Sequence, residues 1–496
     1  MTNPMTMPGG ARAAQRPRFE LAAQQRWMLG AIVAAAFAVR LVEALRRAIH
    51  TDERISLEWA ANSGDQIIEI LRAYDAHPPL FFLFLHVFGL AQAPEWLPRI
   101  VMVAFGTASV ALLFAVVRLW VTPQAALVAA LCAAFMPSLI FYDTWIRMYV
   151  VSDFFALLAF FALSVLLTTD DLSARRRRFW WGAWTLCTAV GPYLLYIGWF
   201  FTAAQVLYVL TLRRHAAVRA LTGASAAALM WLPQLPTFLR QTHVGGLNFA
   251  SYQHHELRAL ALLPGQATFV PELEGYVAAL GAMLAWLGII FSLWCTLKIA
   301  PRSILPWLGA PAVLLLLYSA ASNKWIYLDR YYLMLAYGVA AWAGCVFQWA
   351  LNANKRPVLG ALAVVLTTLL VLGTLYGVDS AFYTADWPGV QSLLLSGSQP
   401  RDLFVLEQGM SRWALMRNPT IKRHPYILVW FRPDVENSWR LLKPYRRVWL
   451  VAYQPRGVDP QLDLLSHLQH DYHLSLFHEF QKVMPAESVS VGLFVR

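Results

Sequence analysis

Ten stretches of mainly apolar residues, each long enough to cross the hydrocarbon of a bilayer, punctuate the first 378 residues of this chain and fix most of what it can fold into. They lie at 27–45, 99–120, 124–141, 150–168, 194–212, 217–235, 275–297, 304–321, 330–349 and 357–377, and 179–191 forms a shorter eleventh. A helix needs roughly 17 to 25 such residues to span. The runs are continuous rather than alternating, and backbone in lipid must satisfy its own hydrogen bonds, so the expectation is helices and not barrel strands. Composition agrees, with 58% apolar residues, 14% charged and a mean hydropathy of +0.49. A soluble chain of this length carries more charge. The fold class expected is an α-helical polytopic membrane protein with eleven spans.

The count turns on residues 79–92, which are as apolar as any span. As a helix they reach only about 21 Å, short of the roughly 30 Å core. If they do not cross and the N-terminus is cytoplasmic, sixteen basic residues, including Arg175 to Arg178 and the Arg213-Arg214 pair, fall on the cytoplasmic side against nine outside. That distribution follows the positive-inside rule. Residues 1–26 are then a cytoplasmic tail, 27–378 the membrane module, 47–98 a long first outer loop and 236–274 another outer loop. Arg40 interrupts the first apolar run and no small-residue cleavage site precedes Glu43 to Arg47, so the run is expected to remain as a span rather than leave as a signal peptide. The implied location is a bacterial inner (plasma) membrane.

Cys132, Cys187, Cys295 and Cys345 all fall inside expected spans, which points to packing rather than to disulfides or thiolate metal sites. The net charge of +12 sits largely in cytoplasmic loops, where topology and anionic headgroups account for it without nucleic acid. Beyond residue 378 the composition changes. Strand-like runs at Asp402 to Leu406, Arg447 to Val451 and Val489 to Val495 alternate with helical spacing at 387–396 and 460–470, predicting a small extracytoplasmic α/β domain over 379–496.

The charged residues beside the outer membrane face carry the functional reading. Asp52 and Glu53 follow Thr51, which could cap a helix running through Ile55, Trp59 and Ile67, with the carboxylates complementing its dipole. Alternatively, a carboxylate partly desolvated at a membrane surface rises toward the pKa of a general base. His77-Pro78-Pro79 could simply start a helix. Arg147 and Tyr149, and Lys324, Arg330 and Tyr331, lie in aromatic segments that could be interfacial belts, with Asp143 paired to its neighbouring arginine. Each nevertheless puts cations where a lipid phosphate would sit, and guanidinium groups grip phosphate oxygens in a two-pronged manner.

Taken in order along the chain, these elements resemble the GT-C class of integral-membrane glycosyltransferases, in particular the protein O-mannosyltransferase-like group and the lipid A aminoarabinose transferase. The resemblance covers most of the chain. It rests on the acidic pair Asp52-Glu53, the stretch His77 to Leu80, Arg147 with Tyr149, and Arg330 with Tyr331. It implies a polyprenyl-phosphate sugar as donor and Asp52 as catalytic base, with Glu53 beside it. Arg147, Lys324, Arg330 and His77 would then meet the donor phosphate, and Arg54, Tyr149 and Tyr331 would position substrate. One departure matters: the aminoarabinose group usually has a lysine near the His77 position. The expected reaction is an inverting transfer to an acceptor hydroxyl on a protein, lipid or polysaccharide, parallel to the single displacement of inverting glycosidases. No cofactor is required; a divalent metal is possible but not indicated, the one local cluster being His254-His255-Glu256. A polytopic lipid or sugar transporter and a non-catalytic envelope assembly protein stand as alternatives. A transporter usually shows paired repeats and charges at mid-bilayer, and the assembly reading leaves Asp52 and Glu53 without a role.

Overall fold

A computed structural model describes residues 21–47, 49–243, 263, 275–322, 326, 329–378, 386–416, 418–429, 440–453, 463–480 and 489–496. Helices cover all eleven apolar stretches: α1 (Ala23–Arg46), then, beyond the first loop, α5 (Trp96–Arg118), α6 (Pro123–Phe135) continued by α7 (Pro137–Tyr142), α8 (Met148–Thr168), α9 (Ala174–Leu194), α10 (Gly198–Leu212), α11 (Ala217–Trp231), α13 (Gly275–Ile299), α14 (Ala310–Ser322), α15 (Leu333–Asn352) and α16 (Arg356–Val378). Among the described residues, six helices are long and apolar enough to cross a membrane, and three shorter ones are similarly apolar. Leu284, Leu287, Ile290, Leu317, Val364 and Val371 are exposed on the bundle surface. In a bilayer those side chains face lipid tails, which cost them nothing. The inner faces form one continuous apolar core, in which α8 packs against α5 and α9, and α6 against α15. The four cysteines are buried and unbridged.

The loop between α1 and α5 folds into three short helices. These are α2 (Thr51–Ala60), α3 (Gly64–Tyr74) and α4 (Leu80–Val87). Helix α4 has eight residues, about 12 Å of rise, and it ends before Gly89, whose positive φ of 64° closes the turn. That rise is short of the roughly 30 Å hydrocarbon core. Helix α2 is not capped by Thr51, as expected from sequence, but by the preceding residue: His50 Nδ1 accepts the Asp52 amide at 3.2 Å, and the helix stops at Ala60 instead of running on to Ile67. Helix α12 (Leu235–His243) leaves the membrane module to clasp this loop. Gln241 donates to the carbonyls of Leu71 and His77, and Arg72 donates to Thr237.

A buried ion pair ties the bundle together beneath the loop. Met136 is extended ahead of Pro137, which breaks the helix between α6 and α7. Arg40 of α1 fills the gap, donating to the freed carbonyls of Ala133 and Ala134 at 3.1 and 2.8 Å and to Asp143 Oδ2 at 2.8 Å. The expected pairing of Asp143 with neighbouring Arg147 is therefore corrected. Gly106 of α5 permits the arrangement, because a methyl group there would lie 2.5 Å from the Asp143 carboxyl carbon.

The C-terminal domain is a five-stranded sheet ordered β2-β1-β3-β5-β4, formed by β1 (Leu403–Glu407), β2 (Tyr426–Val429), β3 (Arg447–Tyr453), β4 (His473–Phe480) and β5 (Val489–Val495). The first three strands in the sheet run parallel, and β5 and β4 join antiparallel. Helices α17 (Trp387–Gly397), α18 (Gln408–Leu415) and α19 (Asp463–Asp471) accompany it. The two strands that sequence reading passed over, β2 and β4, are the edges, one only four residues long and the other exposed almost throughout. The domain touches the membrane module where α18 packs against α2.

Candidate active site

Asp52 and Glu53 are consecutive on the first turn of α2, so their side chains leave the helix in different directions. Glu53 turns inward and is sealed. Arg99 of α5 forks onto it with two bonds of 3.1 Å, Arg47 lies at 3.0 Å, and the amides of His50 and Ile146 donate to it at 2.8 and 3.1 Å. Burial would raise this carboxyl, but Arg47 and Arg99 outweigh it and hold it down at about 2. Arg54, expected from sequence to position substrate, does not join them; it points to Glu95 at 3.3 Å.

Asp52 turns the other way, with 23% of its side chain still accessible. Arg330, from the turn before α15, approaches its Oδ2 at 3.5 Å. Arg147, from the turn before α8, donates to the Asp52 carbonyl and to Ser56 Oγ at 3.4 and 3.2 Å, anchoring that guanidinium to the helix that carries the carboxylate. Both guanidiniums lie over the ring of Tyr149, at 5.9 and 5.8 Å from its centre, within range of cation–π attraction. The Tyr331 ring packs edge-on against Tyr149 at 5.9 Å, and its hydroxyl lies 3.5 Å from His77 Nε2. Chain segments more than 250 residues apart thus converge here.

The electrostatics reverse one expectation. Burial does push the Asp52 carboxyl upward, but Arg147 and then Arg330 outweigh it and hold the group well below the usual carboxylate range. Asp52 is a firmly ionised carboxylate, not one raised toward neutrality. His50, beneath it, is driven by burial down to about 4 and is neutral, which its capping bond through Nδ1 requires; its ring stacks on Trp145 at 4.2 Å.

Sequence reasoning missed Asp75. It follows the end of α3, its carboxylate faces His77 Nδ1 at 2.8 Å, and the Asp-x-His spacing was the available signal. Asp75 is held below its ordinary value because His77 and Arg147 outweigh the effect of its burial. Lys324, and the cluster His254-His255-Glu256, lie outside the described residues. Among the described residues no group of three or more metal-ligating side chains converges.

No protein-family model matches the chain, and no curated protein matches it as a relative. Solved structures do. ArnT from Cupriavidus metallidurans superposes with a TM-score of 0.56 in the apo state, over 95% of this chain and 98% of that one at 17% identity. The same protein bound to undecaprenyl phosphate gives 0.57 at 16% identity, with the same coverage. The archaeal oligosaccharyltransferase AglB from Archaeoglobus fulgidus, in complex with an inhibitory peptide and a dolichol-phosphate, gives 0.52 over 95% of this chain and 74% of that one, at 11% identity. A helical membrane module of this layout carrying a C-terminal α/β domain is therefore the fold this chain shares with them, the GT-C fold.

Proposed function

We propose that the protein transfers a sugar from a polyprenyl-phosphate donor to an acceptor hydroxyl, with inversion, at the outer face of a bacterial inner membrane, its N-terminus being cytoplasmic and its C-terminal domain outside. The observation that carries the reading is the pairing of one ionised, partly accessible carboxylate, Asp52, with two guanidiniums at the rim of a membrane-embedded bundle. Supporting it, two structures of this fold contain a polyprenyl-type lipid phosphate, undecaprenyl phosphate with ArnT and dolichol-phosphate with AglB.

In this mechanism the acceptor oxygen attacks the anomeric carbon, its proton passes to an Asp52 carboxylate oxygen, and the bond from that carbon to the phosphate oxygen breaks. A phosphate diester becomes a monoester, so one further negative charge develops on the leaving group. Arg147 and Arg330 are placed to stabilise it. The same two residues explain how so acidic a carboxyl can act as a base. While they face Asp52 they depress it; engaged by a donor phosphate they pull on it less, and its proton affinity rises when the substrate is in place. Glu53 is a positioning residue in this scheme, fixing the turn from which Asp52 projects. No metal is assigned a step.

The test is a transfer assay with purified protein and a polyprenyl-phosphate sugar. Asp52→Asn should lose about 10² to 10⁴ in rate, the usual contribution of a general base, while still binding the lipid donor. Normal turnover by this variant would move the chemistry elsewhere, and would leave the transporter reading standing.

A further inference from the structure

Resting on that reading, we propose that His77, held by Asp75, is a titratable cation of the donor-phosphate site beside Arg147 and Arg330, and that binding a phosphodiester there takes up one proton. The argument begins with geometry. Asp75 ends α3 in an extended conformation, its Oδ1 accepting the Ala76 amide at 2.7 Å and facing His77 Nδ1 at 2.8 Å. The Gln241 side chain grips this turn through the His77 and Leu71 carbonyls, and both Asp75 and His77 are buried. With Nδ1 committed as donor to a carboxylate, the imidazole orientation is fixed and Nε2 points at the Tyr331 hydroxyl, beside the Tyr149 ring over which Arg147 and Arg330 lie.

Charge balance supplies the second step. Among the described residues, the groups facing this space are the carboxylates Asp52 and Asp75, the guanidiniums Arg147 and Arg330, the phenols Tyr142, Tyr149, Tyr196 and Tyr331, the neutral His50 imidazole beside Asp52, and the His77 imidazole. Two positive and two negative charges cancel when the imidazole is neutral. A phosphodiester adds one negative charge that no other described group offsets, and an uncompensated charge in a buried site is costly. An imidazole is the side chain here that ordinarily gains a charge near neutral pH, and of the two present His50 is committed as acceptor to the Asp52 amide through Nδ1. Protonated, His77 restores neutrality and keeps it through the reaction, because the second charge gained by the leaving phosphate is matched by the proton arriving on Asp52. Asp75 is then a positioning residue that selects the Nδ1–H form and sets a carboxylate against the ring.

The sign follows. Donor affinity is greatest below the imidazole titration and falls as pH rises through it. The probe is the methyl ester of a polyprenyl phosphate, a monoanion that does not itself titrate, binding to the purified full-length protein in detergent. Affinity should weaken tenfold to a hundredfold between about pH 6 and 9, as expected for losing one charge-assisted contact. Calorimetry in two buffers of different ionisation enthalpy should show net proton uptake. His77→Lys should bind with the pH dependence removed, and His77→Gln should bind weakly throughout. Asp75→Asn should move the midpoint to lower pH, with Asp75→Glu restoring it; a merely structural Asp75 would lower thermal stability and leave the midpoint alone. A flat affinity profile in the parent protein, or an unchanged slope in His77→Lys, overturns the proposal. Absence of binding at every pH by folded protein instead overturns the donor-site reading, and this inference with it.

Discussion

Asp52 and Glu53 are adjacent in sequence, of the same charge and each faced by two arginines, yet they occupy two different kinds of site. Glu53 is closed off, every oxygen met by Arg47, Arg99 or a backbone amide. Asp52 keeps part of its surface accessible, and its nearest guanidinium stands at 3.5 Å. Short bonds and full enclosure make a joint; a longer separation and an open side leave charge available to something not yet bound. What distinguishes architecture from chemistry here is the freedom left to the group, not the identity of the residue.

That contrast can be broken most directly at Asp52 and Glu53 themselves. If it is right, Asp52→Asn loses about 10² to 10⁴ in transfer rate while melting near the parent temperature. Glu53→Gln should do the reverse, destabilising by roughly 3 to 5 kcal/mol, the usual consequence of removing one partner from a buried ion pair. Thermal unfolding and transfer rates on the same two preparations decide it; an unstable Asp52→Asn with a stable, inactive Glu53→Gln would exchange the roles. The pH dependence of stability sharpens the same point. Glu53 sits at about 2 in the folded protein against an ordinary 4.5, so its contribution is complete above the ordinary value and is lost as pH falls toward the depressed one. Acid melting curves should be flatter for Glu53→Gln than for the parent.

The next effects belong to the cations on the open side. Arg147→Ala and Arg330→Ala should each lower donor use by about ten- to a hundredfold, corresponding to roughly 1.5 to 3 kcal/mol for a charge-assisted bond, with lysine restoring only part because it lacks the planar fork. Steady-state kinetics against donor concentration measures this, and full activity in both alanine variants would remove the arginines from the site. Smallest of all is Arg54, whose partner Glu95 is itself partly exposed at 3.3 Å. Arg54→Ala should change stability by less than about 1 kcal/mol and activity little; a large loss of transfer would restore the substrate-positioning role expected from sequence.

Much of this was readable from the chain because two signals survive without three-dimensional context. Apolar run length locates the helices, and clustered charge at their ends marks the place where Asp52, His77, Arg147 and Arg330 meet. The rest depended on direction and partnership. Nothing in the sequence says that Glu53 faces Arg99, a residue 46 positions away, or that Asp143 reaches across to Arg40 rather than to its neighbour Arg147. The sign of the Asp52 shift was misread for the same reason, since burial could be inferred from position but the two arginines that outweigh it could not. Asp75 was overlooked because a lone aspartate after a helix is ordinary until its imidazole partner is seen.

Arg40 has a consequence for how the chain enters the membrane. On emerging from the ribosome, α1 carries an arginine whose partners in α6 and α7 have yet to be made, the carbonyl of Ala133 lying 93 residues further on. An arginine near the middle of a lone span opposes insertion by about 2.5 to 3.5 kcal/mol, and less toward its end. The membrane residence of the first span thus depends on a helix break synthesised long after it. Truncated chains ending before α6 should integrate α1 less completely than chains extended through α7, and Arg40→Leu should erase the difference, as glycosylation-site mapping of the inserted products would report.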